Sequence, residues 1–229
     1  MRVLGRDLAA CYRATMGYAS NLCAVILAAG ESTRMGRDKA LMPWPPPGAA
    51  SSTGETFLSA AIRLFAPYVD VVLVVAGKNE PNLAPIVYAK GASLVINPDP
   101  DRGQFSSLKA GLQEVLTRGR DAAMITLVDR PPVRPETIQA LEAAFEKALH
   151  HRKWAVVPEY QGKHGHPVLA GREMIEAFLR APDSSNAREV EHAHQAAIEY
   201  LPVGDPLVTV NVDTPEEYAA LSASVLQSS

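Results

Sequence analysis

Four short runs of this chain are almost wholly apolar: Cys23–Ala29, Val69–Ala76, Ser93–Ile96 and Met124–Val128. A strand with one wet face alternates apolar and polar residues. A continuous apolar run suits a strand buried on both faces, as in a parallel sheet covered by helices. The segments between the runs have helical spacing. Phe57, Leu58, Ala61, Ile62 and Phe65 fall on one helical face in 57–65, and Leu108, Leu112, Val115 and Leu116 do so in 107–116. Ile138, Leu141, Phe145 and Leu149 repeat the pattern in 135–149, where Pro135 suits a first helical turn. Strand and helix alternate, which predicts an α/β fold: a three-layer, doubly wound, mainly parallel sheet with helices on both faces.

The last third is less regular. Ala155–Glu159 and Pro167–Ala170 read as strands around the turn YQGKHGHP, a small antiparallel element. Gly171–Arg180 and Ser185–His194 read as short helices, Ile198–Val203 and Leu207–Val212 as strands, and Pro215–Leu226 as a closing helix. With 229 residues the chain suits one domain, expected over 22–229 and preceded by an extension at 1–21. The net charge of -3 supplies no general basic field, which argues against nucleic-acid binding. No apolar run reaches the roughly 18–20 residues of a membrane-spanning helix. Arg2, Arg6, Asp7 and Arg13 interrupt the first 20 residues, so no secretory signal is expected there. Cys11 and Cys23 form no metal-binding spacing. A reducing cytoplasm is the expected location.

Ligands of open parallel sheets bind at the carboxyl ends of strands, and that is where this chain concentrates polar chemistry. The first run, ending Leu27-Ala28-Ala29, passes into Gly30 and a loop carrying Arg34, Arg37 and Lys39. Glycine lets a backbone approach a ligand closely, and loop amides with two cations suit a polyphosphate. Read alone, the same loop is equally a solvated one whose cations face water. After the third run, Gly103, Ser106 and Ser107 open a helix; either serine suits an N-cap, and the amides suit a base or phosphate. Asp129 ends the fourth run, where a carboxylate is either a Mg²⁺ ligand or a cap. Asp213 is expected to end another strand, with Thr214 and Glu217 forming a capping box behind it. His164 and His166 stand two apart, but two ligands do not make a zinc site. His166, in a Gly-His-Pro turn, better fits a hydrogen-bond donor to substrate.

Together these segments resemble one family. LAAGESTRMGRDKALMP (27–43) is similar to the L-A-A-G-x-S-x-R-M-G-x-x-K-x-L-x-P motif of the nucleotidyltransferases that make the dinucleotide forms of the molybdenum cofactor. GQFSSLKAGL, VDRPPV, GHPVLA and NVDTPEEY resemble that family's later blocks in order, so the likeness covers about residues 22–222. The first block is shared with other nucleotidyltransferases. The GQFSSLKAGL and GHPVL blocks point to the cytidylyltransferase branch over the guanylyltransferase branch.

The resemblance implies a Rossmann-like nucleotidyltransferase fold and a reaction in which molybdopterin's terminal phosphate attacks the α-phosphate of CTP, releasing pyrophosphate. It implies that Leu27, Ala28, Ala29, Gly30, Arg34 and Lys39 hold the triphosphate, with Gly103, Ser106 and Ser107 near the nucleoside. Arg34, Lys39 and Asp129 would carry catalysis, and Asp129 and Asp213 would hold Mg²⁺, with Mn²⁺ as a substitute. Gly165, His166, Pro167 and Arg188 would face the pterin, and a molybdoenzyme or its maturation chaperone would receive the product. Three departures bear on the acceptor: Arg130 where the family has Gln, Ala187 where it has Gly, and a longer 44–55 insertion. Two other readings stay open: the same site using GTP or another phosphate or sugar-phosphate acceptor, and a molybdenum-cofactor carrier without catalysis.

Overall fold

The computed structural model describes residues 21–30, 35–46 and 54–227. Residues 1–20 of the expected extension at 1–21, Arg34 and the middle of the 44–55 insertion lie outside the described residues. In chain order the elements are β1 (Leu22–Leu27), the short strands β2 (Pro43–Trp44) and β3 (Glu55–Thr56), α1 (Phe57–Phe65), β4 (Val71–Ala76), α2 (Glu80–Ala89) and β5 (Ser93–Ile96). There follow α3 (Gln104–Thr117), β6 (Ala122–Leu127), α4 (Pro135–His150), β7 (Ala155–Tyr160), β8 (Lys163–His164) and β9 (Val168–Gly171). The chain closes with α5 (Arg172–Arg180), α6 (Ala187–Ala193), β10 (Ile198–Pro202) and α7 (Pro215–Gln227).

The main sheet runs β10-β7-β9-β6-β1-β4-β5, with β8 against β7. β1 pairs in parallel with β4 and β6, β4 with β5, and β10 with β7. β9 runs antiparallel between β6 and β7, which is the expected antiparallel element. All six residues of β1 are buried, and alternate side chains leave for opposite layers. Ala24 and Ile26 join Leu58 and Ile62 of α1 and Ile138 and Leu141 of α4. Cys23 and Val25 join Leu108 and Leu112 of α3 and Met174 and Ile175 of α5. Burial on both faces is why the run is continuous rather than alternating, and it pushes the Cys23 thiol up to about 11, so this cysteine behaves as a small hydrophobe.

Three sequence expectations change. Leu207–Val212 is not a strand: Pro206–Thr209 forms a 3-10 turn. Pro206 presets the turn's φ, and Asp205 caps it by accepting from Leu207 N at 3.0 Å. Asp213 therefore follows an irregular segment rather than a strand. Neither Ser106 nor Ser107 caps α3; the helix begins at Gln104, and Gly103 (φ 89) is its N-cap. Apolar periodicity passes over α2, which buries only Leu83 and Val87 and contains Pro81 and Pro85. Among the described residues no helix is long and apolar enough to cross a membrane.

Gly111 sets how closely α3 lies on the sheet. A Cβ there would stand 2.6 Å from Val25 Cγ1 and 2.9 Å from Val75 Cγ2. Overpacking of this kind costs about 1–3 kcal/mol. Gly111→Ala is expected to lower unfolding stability by that amount in a urea titration, against the gain that Gly→Ala gives elsewhere in a helix.

Candidate active site

Three segments converge at the carboxyl edge of β1 and β6. The backbone continues the sheet's hydrogen bonding past both strands: Ala28 N donates to Val75 O at 2.8 Å and Val128 N to Leu27 O at 3.0 Å. Asp129 thus emerges beside the loop that follows β1. The third segment is tied on by Val212 N donating to Asp129 O at 3.1 Å, which sets Asp213 alongside. Lys39 completes the group. Its Nζ donates to Asp129 Oδ2 at 3.0 Å and to Asp213 Oδ1 at 2.6 Å, across separations of 90 and 174 residues.

Lys39 belongs to a 3-10 turn, Lys39–Leu41, capped by Asp38, whose Oδ1 accepts from Ala40 N at 3.0 Å. An apolar cluster of Met35, Met42, Phe57, Val212, Tyr218 and Leu221 backs the loop. Tyr218 Oη donates to Pro43 O at 2.8 Å, so α7 also grips the loop's far end. β2 and β3 pair at the base of the insertion, Trp44 opposite Glu55. The Thr214–Glu217 capping box forms as expected, with Glu217 Oε2 also accepting from Asp213 N at 2.6 Å.

The acidic pair is electrostatically crowded. Asn211 Nδ2 donates to Asp213 Oδ2 at 2.5 Å. Asp129 Oδ1 is buried and has no hydrogen-bond partner among the described residues. Arg130 lies beside both carboxylates; burial pulls its guanidinium pKa down while Asp129 and Asp213 pull it up. Its Nη1 donates to Val210 O at 3.1 Å, while its Nε is buried without a partner among the described residues. Lys39 and Arg130 together balance the two carboxylates, cation for anion.

His166 stands next to this group and lines a small cavity with Thr126, Arg130, Pro131, Val133 and Pro167. Its Nδ1 lies 3.4 Å from Ile125 O, a long contact, and its N–H donates to Val208 O at 2.8 Å. Gly165 allows the approach: a Cβ there would sit 2.3 Å from Val208 O. His164 goes elsewhere, stacking on Tyr200 with centroids 4.1 Å apart, so the two histidines share no site.

The remaining expected residues divide. Leu27 and Ala28 are buried at the end of β1. Gly30 needs no glycine for its backbone, and among the described residues a Cβ there would meet nothing within 4 Å; the left-handed turn falls at Gly36, φ 66. Ser106 and Ser107 are engaged internally: Asn97 Nδ2 donates to Ser106 Oγ at 2.8 Å and to Ser107 Oγ at 3.0 Å. Ser106 Oγ also donates to Gly103 O at 2.7 Å. Arg188 is exposed on α6, and no described contact brings it to Lys39, Asp129, Asp213 or His166. A cavity of about 330 Å³ opens between α5 and α6, away from the carboxylates. Sequence reasoning missed Asn97, Asn79 and Asp205. Asp205, almost fully buried, accepts from Arg134 N at 2.8 Å and Thr137 Oγ1 at 2.9 Å and so ties the 206–209 turn to α4.

An open, mainly parallel sheet thus carries a lysine and two carboxylates at its carboxyl edge, the edge where ligands of such α/β folds bind. The chain belongs to the MobA-like NTP transferase domain family, which matches residues 24–198. It is 27% identical to the purine catabolism protein PucB of Bacillus subtilis, over 86% of this chain and 94% of that one. It is 24% identical to the molybdenum cofactor cytidylyltransferase of Escherichia coli, over 85% and 92%. It is also 28% identical to the molybdenum cofactor guanylyltransferase of Xanthomonas euvesicatoria pv. vesicatoria, over 86% and 92%. The crystal structure of Rv0371c from Mycobacterium tuberculosis shares the fold, with a TM-score of 0.74 at 24% identity over 90% of this chain and 99% of that one. A manganese complex of Rv0371C aligns with a TM-score of 0.67 at 22% identity, over 89% and 98%.

Burial, and secondarily the Arg130 charge, push the His166 pKa down to about 4. The unfolded chain therefore binds a proton near the ordinary histidine pKa that the folded chain refuses until about pH 4. This contribution to stability is intact above about pH 6.5 and is lost as pH falls from there towards the folded value. An NMR titration of His166 is expected to find its midpoint near 4 in the native protein.

Proposed function

We propose that this chain transfers CMP from CTP to the terminal phosphate of molybdopterin and releases pyrophosphate. The single observation that carries the reading is the Lys39 ammonium drawn between Asp129 and Asp213 at the sheet's carboxyl edge. The acceptor's phosphate oxygen attacks the α-phosphorus of CTP, the bond from that phosphorus to the bridging oxygen breaks, and pyrophosphate leaves with the electron pair. Such in-line chemistry needs positioning and charge neutralisation rather than a covalent intermediate.

The donor set fits a divalent cation. The buried Asp129 Oδ1 is a hard acceptor without a partner among the described residues, and Mg²⁺ takes one or two carboxylates together with phosphate oxygens. Asp129 and Asp213 would hold Mg²⁺, or Mn²⁺ in its place, and the ion would neutralise charge on the reacting phosphates. Lys39 then turns its ammonium to the triphosphate as a point charge. Arg34, outside the described residues, adds a second cation in this reading. In this reading the backbone at Gly30 lies against phosphate, and Gly103 with the first amides of α3 faces the nucleoside, with Ser106 and Ser107 held behind them by Asn97. Neutral His166, with Gly165, Pro167 and Arg130, bounds the pterin side; Arg188 belongs there only if α6 approaches a bound acceptor. Delivery to a molybdoenzyme or its chaperone follows from the same reading.

CTP is favoured by the GQFSSLKAGL and GHPVL blocks and by the cytidylyltransferase relative. The guanylyltransferase relative, matched over 92% of its length, supports GTP as the second reading. Pyrophosphate release is expected with molybdopterin, Mg²⁺ and CTP; release with GTP alone would favour the second reading. Asp129→Asn is expected to lower release by roughly 10²-fold or more, the scale of losing a preorganised electrostatic contact. Cofactor delivery undiminished in that variant would instead indicate a carrier.

Lys39 and a divalent cation would share the same two carboxylates. Lys39→Met is therefore expected to tighten Mn²⁺ binding without nucleotide by roughly ten- to hundredfold, read by electron paramagnetic resonance, since it removes a like charge from the site.

A further inference from the structure

Asn79 sits at the N-cap of α2 but does not cap it: its side chain makes no hydrogen bond to the helix's amides. An asparagine at this position ordinarily accepts from its own first turn. Here the carboxamide is turned to the loop after β1. Nδ2 donates to Ala28 O at 2.9 Å and to Asp38 Oδ2 at 2.8 Å. Oδ1 accepts from Gly77 N at 3.1 Å. The orientation is fixed by chemistry: two acceptors face the amide nitrogen, and a flipped group would set an oxygen against both.

The two acceptors lie on opposite arms of one loop. Ala28 is where the chain leaves β1. Asp38 immediately precedes Lys39 and caps its turn through the other carboxylate oxygen, which accepts from Ala40 N at 3.0 Å. A single side chain from a third strand–helix junction thus ties the loop's exit to its return. Gly77 keeps that junction close, since a Cβ there would stand 3.1 Å from Ala29 O and 2.9 Å from Pro100 Cβ.

We propose that Asn79 and Asp38 form a clasp that positions Lys39 for phosphate contact, making Asn79 a positioning residue for the transfer. The inference rests on the nucleotidyltransferase reading. Loss of the clasp lets the 38–41 turn drift. A displacement on the order of 1 Å costs chemistry more than it costs binding, because the ammonium's charge still attracts a triphosphate from the wrong place.

The test compares Asn79→Ala, Asn79→Asp and the exchanged pair Asp38→Asn with Asn79→Asp. In the exchanged pair the carboxamide now at position 38 donates to the carboxylate now at position 79, and its oxygen still accepts from Ala40 N; the bond to Ala28 O is lost and a carboxylate oxygen faces that carbonyl instead, so the rescue is measured against Asn79→Asp, which carries the same mismatch, and not against wild type. Hydrogen–deuterium exchange over 38–44, with β6 and α4 as controls, reads the clasp without reference to catalysis. Asn79→Ala is expected to speed exchange over 38–44 by about tenfold with the controls unchanged, and to lower kcat for pyrophosphate release by about tenfold or more with KM changed less than about threefold. Asn79→Asp, which sets two carboxylates together, is expected to be worse, and the exchanged pair to recover about tenfold over it. Exchange over 38–44 unchanged in Asn79→Ala overturns the clasp. Faster exchange with kcat within about twofold of wild type overturns its role in positioning, as does absence of rescue in the exchanged pair. If the wild-type protein releases pyrophosphate from no triphosphate, the nucleotidyltransferase reading fails, and the exchange data alone decide the clasp.

Discussion

The Lys39 ammonium between Asp129 and Asp213 joins three stretches of chain far apart in sequence, and the surrounding structure is arranged to keep them together. Each charge is only partly exposed, with Lys39 at 11% and the carboxylates at 21% and 24% of their side-chain surface. At that depth an ion pair is screened less than on the surface, and leaving one member uncompensated is costly. The sheet meets this requirement through the backbone. β1 and β6 lie side by side in parallel, and bonds from Val212 N to Asp129 O and from Arg130 to Val210 O bring in the third segment. The cluster around Phe57 and Tyr218 then backs the lysine-bearing turn with apolar surface, so that the loop is held by packing as well as by charge.

Much of the fold is legible in the sequence because burial on two faces leaves a signature in composition. Runs such as Cys23–Ala29 and Met124–Val128 can only be interior strands, and the helices of 57–65 and 135–150 announce themselves by period. What escapes is structure made by single polar contacts. Asp205 and Pro206 convert an apolar segment into a turn, and no apolar pattern records that. Helix α2 hides behind two prolines and only two buried residues. Within the site, Lys39, Asp129 and Asp213 are readable as charged residues at strand or loop ends. Asn79, Asn97 and Asp205 are not, because an asparagine or aspartate in a loop looks the same whether it faces water or fastens two segments.

The pterin-side expectations show the same division. Gly165 and His166 follow a close approach to Val208 that the sequence marks by a Gly-His-Pro turn, and they stand next to Arg130. Arg188 rests on α6, whose packing is with α5. A motif places a residue along the chain; only the packing of its helix decides where it arrives. Arg130 is the reverse case: an exception to the motif whose surroundings explain it, since a second cation beside two carboxylates brings the group to electrical balance.

The tie between Tyr218 and Pro43 has a consequence for assembly. The lysine-bearing turn is fastened at one end by a residue 175 positions later in the chain, and the second carboxylate lies 174 positions beyond the lysine. During synthesis from the amino end, β1, α1 and β4 have their neighbours early, and Lys39 meets Asp129 when β6 docks. Asp213 and the Tyr218 hydroxyl emerge only after nearly the whole sheet exists. The residues that complete the charged centre are thus among the last to be synthesised, and a chain stopped before residue 213 has every strand of the main sheet but lacks the second carboxylate.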